Sequence, residues 1–149
     1  MRLVLDLRKV SSHSERRRLA NEADQHGIWG IVVTGPPGAE CVEAAAIATV
    51  TSNLSVIVDV DGDAAHPTTL AEEVAVLDQI SRRRAALIFR GETTTKLSVV
   101  ALLSGLPSNG VILSPPPAQT AVPVFTPWLL YTPDDADSAT PISHYASRR

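Results

Sequence analysis

The sequence has 149 residues, of which 44% are hydrophobic, so it suits one globular domain and excludes a disordered chain. Its formal net charge of -3 excludes the basic surface that binds nucleic acid or an anionic membrane. The single cysteine, Cys41, excludes an intramolecular disulfide and a cysteine-based metal cluster. No apolar run is long enough for a signal peptide or a membrane span, so we expect a cytoplasmic protein.

Strands and helices alternate along the first two thirds of the chain. Runs of branched apolar residues predict strands at residues 2–7, 28–34, 54–60 and 85–89. Amphipathic or alanine-rich runs predict helices at residues 15–26, 40–51, 67–81 and 93–106. Gly27 is placed to end the first helix, and Pro67 to begin the third. This alternation favours right-handed βαβ units with parallel strands.

The last third of the chain is less regular. Residues 111–113 predict a short strand, and residues 122–131 are apolar but contain prolines, which limits them to an edge strand or an extended arm. Residues 132–149 are polar, and we expect a mobile tail after a domain of residues 1–131. The predicted fold is α/β, a partial (β/α) barrel-like unit whose parallel sheet of five to six strands is flanked by helices. A closed (β/α) barrel takes about 250 residues and does not fit.

Two loops have the composition of ligand sites but are interpreted as turns. The loop at residues 35–38 (GPPG) lacks the lysine of a phosphate-binding P-loop. The alternation of Asp59, Asp61 and Asp63 is similar to the start of a calcium loop, but Leu70 stands where that loop needs a glutamate. We therefore expect a solvated turn at these aspartates and no metal site.

Three segments, in fixed order, carry a family resemblance. They are residues 20–33 (ANEADQHGIWGIVV), 45–56 (AAIATVTSNLSV) and 66–81 (HPTTLAEEVAVLDQIS). They resemble the "AEEAD", "AxAAxTxRIxLG" and "HPxxLAEExATLDxLSGGR" patterns of the luciferase-like monooxygenases, which use FMN or the deazaflavin coenzyme F420. The resemblance implies the first part of a (β/α) barrel. A chance match in an unrelated small α/β protein is the least favoured alternative.

The chain departs from the family pattern directly after the third segment. The family continues "SGGRxxLGVGxG", whereas residues 81–91 read SRRRAALIFRG. Ile88 and Arg90 stand where the resemblance implies glycines, at the end of a strand where barrel active sites lie. Arg84 matches the arginine of the pattern, and we expect it to pair with Asp78.

If the chain binds a cofactor, we expect the contacts at Arg90, Gly91 and His66. Arg90 could bind a phosphate or carboxylate, or it could block the site. His66 precedes Pro67 and is interpreted more simply as part of a helix entry. No catalytic residue can be named. Because Ile88 and Arg90 add bulk and the family's late phosphate-binding loops have no counterpart, we expect neither FMN nor F420 to bind tightly.

These observations lead to two functional hypotheses. The favoured one is a truncated luciferase-like protein that acts as a non-catalytic partner or ligand-binding subunit. The alternative is a flavin- or F420-dependent oxidoreductase whose site is completed by oligomerisation. In either case we expect a homo-oligomer or a complex with a full-length luciferase-like partner, formed through the helices at about residues 40–52 and 67–81, with no nucleic acid or membrane involved.

Overall fold

The computed structural model describes residues 1–127, which form five strands and four helices. The strands are β1 (Val4–Asp6), β2 (Gly30–Val33), β3 (Ser55–Asp61), β4 (Ala85–Arg90) and β5 (Val124–Phe125). The helices are α1 (His13–Gln25), α2 (Glu40–Ala48), α3 (Pro67–Ile80) and α4 (Thr93–Leu103). All strand pairs are parallel, in the order β1-β2-β3-β4-β5. The predicted α/β unit with a parallel sheet is therefore confirmed.

Local signals in the sequence explain where the helices begin and end. The Ser12 hydroxyl accepts a hydrogen bond from the backbone N–H of Glu15 and caps α1. Gly27 follows α1 with φ of 72°, a conformation that glycine adopts without steric cost. Pro67 occupies the first turn of α3, where a missing N–H does no harm.

The sheet has two apolar faces of unequal size. On the outer face, alternate residues of each strand pack against buried side chains of α1–α4 in the main core, for example Val58 and Leu87. On the inner face, Val32, Ile57, Ala86 and Ile88 form a second cluster, with Trp29 and Phe125 packed against it. The two clusters follow from the period of two along each strand, which sends successive side chains to opposite faces.

The region between α4 and β5 differs in part from the prediction. The expected strand at residues 111–113 is wrong. Val111 instead pairs with Ser108 in an isolated bridge around Asn109 and Gly110, both of which have positive φ. Because this turn engages both the N–H and the C=O of Val111, those groups do not join the sheet. The expected edge strand is present as β5, which among residues 1–127 pairs only with β4.

Residues 128–149, including the expected tail at 132–149, lie outside the described residues. Within residues 1–127, no helix is long and apolar enough to cross a membrane. Between α3 and β4, Arg82 and Arg83 are exposed and have φ of 55° and 68°, the left-handed conformation that non-glycine residues rarely adopt.

Candidate functional site

Four charged side chains meet where the strands end on the inner face, and we call them the rim cluster: Asp6, Arg8, Asp59 and Arg90. Asp6 ends β1 and Arg8 follows it, whereas Asp59 lies in β3 and Arg90 ends β4. Asp59 and Arg90 point to the inner face because each lies two residues beyond a member of the inner cluster, Ile57 or Ile88. The carboxyl edge of a parallel sheet is where α/β proteins place their ligands, so this is the candidate site.

The carboxylate of Asp59 is the centre of the rim cluster. Its side chain is only 6% exposed, and its two oxygens accept hydrogen bonds from Arg90 Nε and Arg8 Nη1, each at 2.8 Å. Arg8 also binds Asp6 through Nη2 at 2.7 Å and Nε at 3.0 Å. Thr34 Oγ1 donates to the backbone carbonyl of Asp59 at 2.9 Å. The cluster therefore links the ends of β1, β2, β3 and β4.

The charges of the rim cluster cancel. The hydrogen bond between Arg8 and Asp6 raises the pKa of Arg8. The same hydrogen bond lowers the pKa of Asp6, and this effect is larger than the opposite effect of burial. The hydrogen bond to Asp59 raises the pKa of Arg90, and the nearby charges of Asp61 and Glu40 act in the same direction. With two arginines facing two aspartates and further acids close by, the rim does not present a free positive field to an anion.

The expectation of a solvated turn at the three aspartates is wrong for Asp59, which is buried because two arginines bind it. It holds for Asp61 and Asp63, which are exposed. Asp61 Oδ1 accepts from the backbone N–H of Asp63 at 3.1 Å, and Asp63 Oδ1 accepts from that of Glu92 at 3.1 Å. Within residues 1–127, no group of three or more acidic, histidine or cysteine side chains could hold a metal ion.

The three expected cofactor contacts are engaged in internal contacts. Arg90 holds Asp59 and keeps 47% of its side chain exposed. Gly91 lies so close to its neighbours that a Cβ atom there would come within 2.8 Å of Asp63 Oδ1. His66 caps α3, since its Nδ1 accepts the backbone N–H of Thr68 at 3.3 Å. Arg90 and Gly91 lie together at the end of β4, and whether any of the three contacts a cofactor stays a prediction.

Sequence reasoning missed most of the rim cluster. Asp6 and Arg8 carry no motif, and Asp59, although within the predicted strand at residues 54–60, is interpreted with Asp61 and Asp63 as part of a solvated turn. The available signal was the strand period: Asp59 is in phase with Ile57, so an inward-facing acid at that position needs a cationic partner. The partner could not be read from the sequence, because Arg8 lies 51 positions away.

A second polar cluster lies at the opposite, amino edge of the sheet, and we call it the amino-edge cluster: Asp24, Thr51–Leu54 and Arg84. Asp24 accepts the backbone N–H groups of Ser52, Asn53 and Leu54 at 2.6, 3.0 and 2.9 Å. Burial alone would raise the pKa of Asp24, but these three hydrogen bonds outweigh burial and lower it.

Arg84 completes the amino-edge cluster with all five of its N–H groups. It donates to the carbonyls of Ala48, Thr51, Leu54 and Ser81 and to the hydroxyl of Thr51, at 2.7–3.0 Å. The expected pair with Asp78 is wrong. The Asp78 carboxylate instead accepts from the backbone N–H and the Nε2 of Gln119, at 2.7 and 2.6 Å, and so ties the chain before β5 to α3.

Two surface cavities of about 280 and 370 Å³ lie away from the rim cluster. The smaller is lined by the end of α4 and by residues 116–120. The larger lies at the amino-edge cluster, between the ends of α2 and α3. Neither is lined by a residue of the rim cluster or by Gly91 or His66.

No protein-family model matches the sequence, and no curated protein matches it. Solved structures do match. The chain is similar to monooxygenase RslO1 from Streptomyces bottropensis, with 20% identity over 85% of this chain and 53% of that one, at a TM-score of 0.69. It is also similar to the coenzyme F420-dependent tetrahydromethanopterin reductase of Methanopyrus kandleri, with 14% identity over 84% of this chain and 49% of that one, at a TM-score of 0.70.

A third similar structure is the oxygenating constituent of 3,6-diketocamphane monooxygenase from Pseudomonas putida, a type II Baeyer-Villiger monooxygenase in complex with FMN. It is 13% identical over 85% of this chain and 51% of that one, at a TM-score of 0.65. The fold is therefore that of the luciferase-like monooxygenases, and the resemblance seen in the sequence is confirmed at the level of the fold. The chain spans about half the length of these structures.

Proposed function

We propose that this chain, which has a luciferase-like fold, acts as a non-catalytic partner or ligand-binding subunit of a luciferase-like oxidoreductase. The observation that carries the proposal is the rim cluster. Where a cofactor would approach the carboxyl edge of the sheet, both arginines are bound by aspartates. Ile88 fills the inner face beside them with no exposed surface.

The residues at the rim do not fit FMN or F420. A phosphate-bearing cofactor needs free donors and a cleft that encloses most of it. Arg90 would have to exchange Asp59 for the phosphate, which would leave a carboxylate that is 6% exposed with Arg8 alone. Gly91 offers no open space, because Asp63 and Phe89 already contact that position. We therefore propose that the chain binds neither cofactor tightly on its own.

Association with another chain is supported by the outward faces of α2 and α3. Large hydrophobic side chains are exposed there: Val42 at 69%, Val76 at 47% and Ile80 at 44%. The alanines of the same helices, such as Ala44 and Ala71, are buried against the sheet and are not available to a partner. We propose that this surface contacts a second copy or a longer luciferase-like protein, in a reducing cytoplasm where the buried thiol of Cys41 stays unpaired.

The open edge of the sheet favours one alternative, an oxidoreductase whose site is completed by oligomerisation. In the part of the chain that the structure describes, β1 pairs only with β2, and the nearby side chains of Met1, Leu3 and Val4 are exposed. A strand from a second chain could pair with β1 and supply the missing donors for a cofactor phosphate. This alternative requires cofactor binding that appears only with association.

Titration of the full chain with FMN and with F420, followed by fluorescence and calorimetry, tests the proposal. We expect no binding tighter than about 100 µM, which corresponds to about 5.5 kcal/mol. Low-micromolar binding would overturn the non-catalytic role. Loss of such binding in Arg90→Ala, but not in the exposed control Arg17→Ala, would then identify Arg90 as a phosphate ligand.

Association is tested by light scattering coupled to gel filtration, and by co-purification with identification of any luciferase-like protein that is retained. Val76→Asp should weaken self-association or co-purification, whereas Glu72→Asp on the same helix should not. A monomer at micromolar concentration that also retains no luciferase-like protein would contradict the subunit role.

A further inference from the structure

We propose that the cavity at the amino-edge cluster binds the phosphate group of a small molecule through Arg82. This cavity, of about 370 Å³, lies between the C-terminal ends of α2 and α3. Its polar lining consists of Thr49, Thr51, Ser52, Arg82 and Arg84, and it includes no carboxylate. The site lies at the opposite edge of the sheet from the rim cluster.

The charge of Arg84 has no carboxylate bound to it. All five of its N–H groups donate to carbonyls and to one hydroxyl, so its hydrogen bonds are satisfied while its positive charge remains. The negative charge of Asp24 acts on Arg84 from a distance and lowers the electrostatic cost of burying its guanidinium. The Asp24 oxygens themselves accept hydrogen bonds from three backbone N–H groups. Burial, together with the like charge of Arg82, lowers the pKa of Arg84.

The donors for a ligand come from Arg82 and Ser52. The Arg82 guanidinium is exposed and makes no hydrogen bond to another side chain or carbonyl of residues 1–127, so its planar N–H groups are free. The hydroxyls of Thr49 and Thr51 already donate to the carbonyls of Ala46 and Ile47. A guanidinium binds a phosphate with two parallel hydrogen bonds, which a hydroxyl at the same wall can supplement.

The ends of two helices would ordinarily repel an anion, because their last carbonyls carry partial negative charge. Here Arg84 binds the carbonyl of Ala48, the last residue of α2, and that of Ser81, which directly follows α3, so these two carbonyls face its guanidinium. Two arginines against the single charge of Asp24 leave a net positive site. The net charge of -3 for the whole chain disfavours the binding of a nucleic-acid polymer at this site and favours a small phosphate compound as its ligand.

The proposal does not depend on the rim cluster, because none of its residues contributes to the cavity, whereas Ile80 is shared with the surface proposed for association. A cofactor titration can fail or succeed without affecting it. The volume is at the lower end of the range for small-molecule sites, about 300–1,000 Å³, and is larger than an inorganic phosphate needs.

The experiment is calorimetric titration of the full chain with inorganic phosphate, with sodium chloride at equal ionic strength as reference. The variants are Arg82→Gly and Arg83→Gly. Both positions are exposed, both have positive φ that suits glycine, and each change removes one positive charge, but only Arg82 lines the cavity. Circular dichroism and thermal unfolding of both variants confirm that they fold.

We expect saturable phosphate binding with a millimolar Kd in the parent chain and in Arg83→Gly. In Arg82→Gly the affinity should fall at least about tenfold, the loss that corresponds to one charge-assisted hydrogen-bonding partner. The absence of saturable binding in the parent chain would overturn the proposal. So would equal weakening in both variants, which would indicate a general charge effect, or undiminished binding in folded Arg82→Gly.

Discussion

The two edges of the sheet carry polar clusters of opposite character. At the amino edge, Asp24 and Arg84 bind mainly backbone groups, and most of these hydrogen bonds join residues that lie 28–36 positions apart. At the carboxyl edge, Asp59 and Arg90 bind other charged side chains, close to further acids. The three segments that carry the family resemblance supply Asp24, Thr51–Leu54 and Ser81 at the amino edge. Arg90, at the carboxyl edge where barrel chemistry lies, stands where the resembled pattern has a glycine.

The sharpest test of this difference is the removal of Arg84. Arg84→Ala leaves at least four carbonyls without their donor, and we expect it to lower the free energy of unfolding by about 3 kcal/mol. Arg17→Ala, an exposed control in α1, should change it by less than about 0.5 kcal/mol. Urea unfolding followed by circular dichroism measures both. Equal small effects would mean that water replaces Arg84 without cost.

The next largest effect is expected at the acid of the same edge. Asp24→Asn keeps the shape but loses the charge that three N–H groups bind, so stability at neutral pH should fall by about 2 kcal/mol. Asn21→Ala, an exposed neighbour, serves as the control.

The pKa of Asp24 is lowered in the folded state, so its contribution is present above the unfolded pKa of about 3.9 and is lost as the pH falls through the folded value. The difference between the parent chain and Asp24→Asn should therefore shrink below about pH 4. A difference that stays constant down to pH 2 would show that the charge is not what stabilises the loop.

Removal of the central acid at the carboxyl edge should cost less. Asp59→Asn weakens both ion pairs, but Arg8 keeps Asp6 and the half-exposed Arg90 regains water, so we expect a loss of about 1 kcal/mol. The measurement is urea unfolding at low and at high salt. A loss as large as that of Arg84→Ala would remove the distinction between the two edges.

The smallest effect has the opposite sign. Burial, together with the charge of Glu40, raises the pKa of Glu73, so its ionised form destabilises the fold. Stability from this group is present below the unfolded pKa and is lost as the pH rises through the folded value. Glu73→Gln should therefore stabilise the protein above about pH 5, by less than about 0.5 kcal/mol because Glu73 is partly solvated. Thermal unfolding between pH 4 and pH 8 checks it, and a destabilised variant at pH 8 would contradict it.

The sequence predicted the repeating units of the fold because most strands are short apolar runs, and because local signals mark both ends of α1 and the start of α3. It failed at Val111, where a turn of two positive-φ residues takes the backbone groups that a strand would need. It also failed for Asp59 and Arg84, since their partners are set by which long side chains reach across the sheet. A period of two along a strand gives the face of a residue but not its partner.

Arg82 and Arg83 show what a family pattern can add to such reasoning. The resembled pattern has two glycines there, and both positions have positive φ, 55° and 68°, a conformation that glycine adopts without steric cost. The glycines of the pattern therefore indicate the backbone conformation of this turn, although this chain has arginine at both positions.

The order β1-β2-β3-β4-β5 has a consequence for how the protein is made. Every strand pairs with the one synthesised just before it, so each new unit adds to an edge that already exists. Loop closure then spans only one helix at a time, and its entropic cost stays small. Structure can grow from the amino end while the ribosome is still adding residues, because the neighbour of each new strand has already been made.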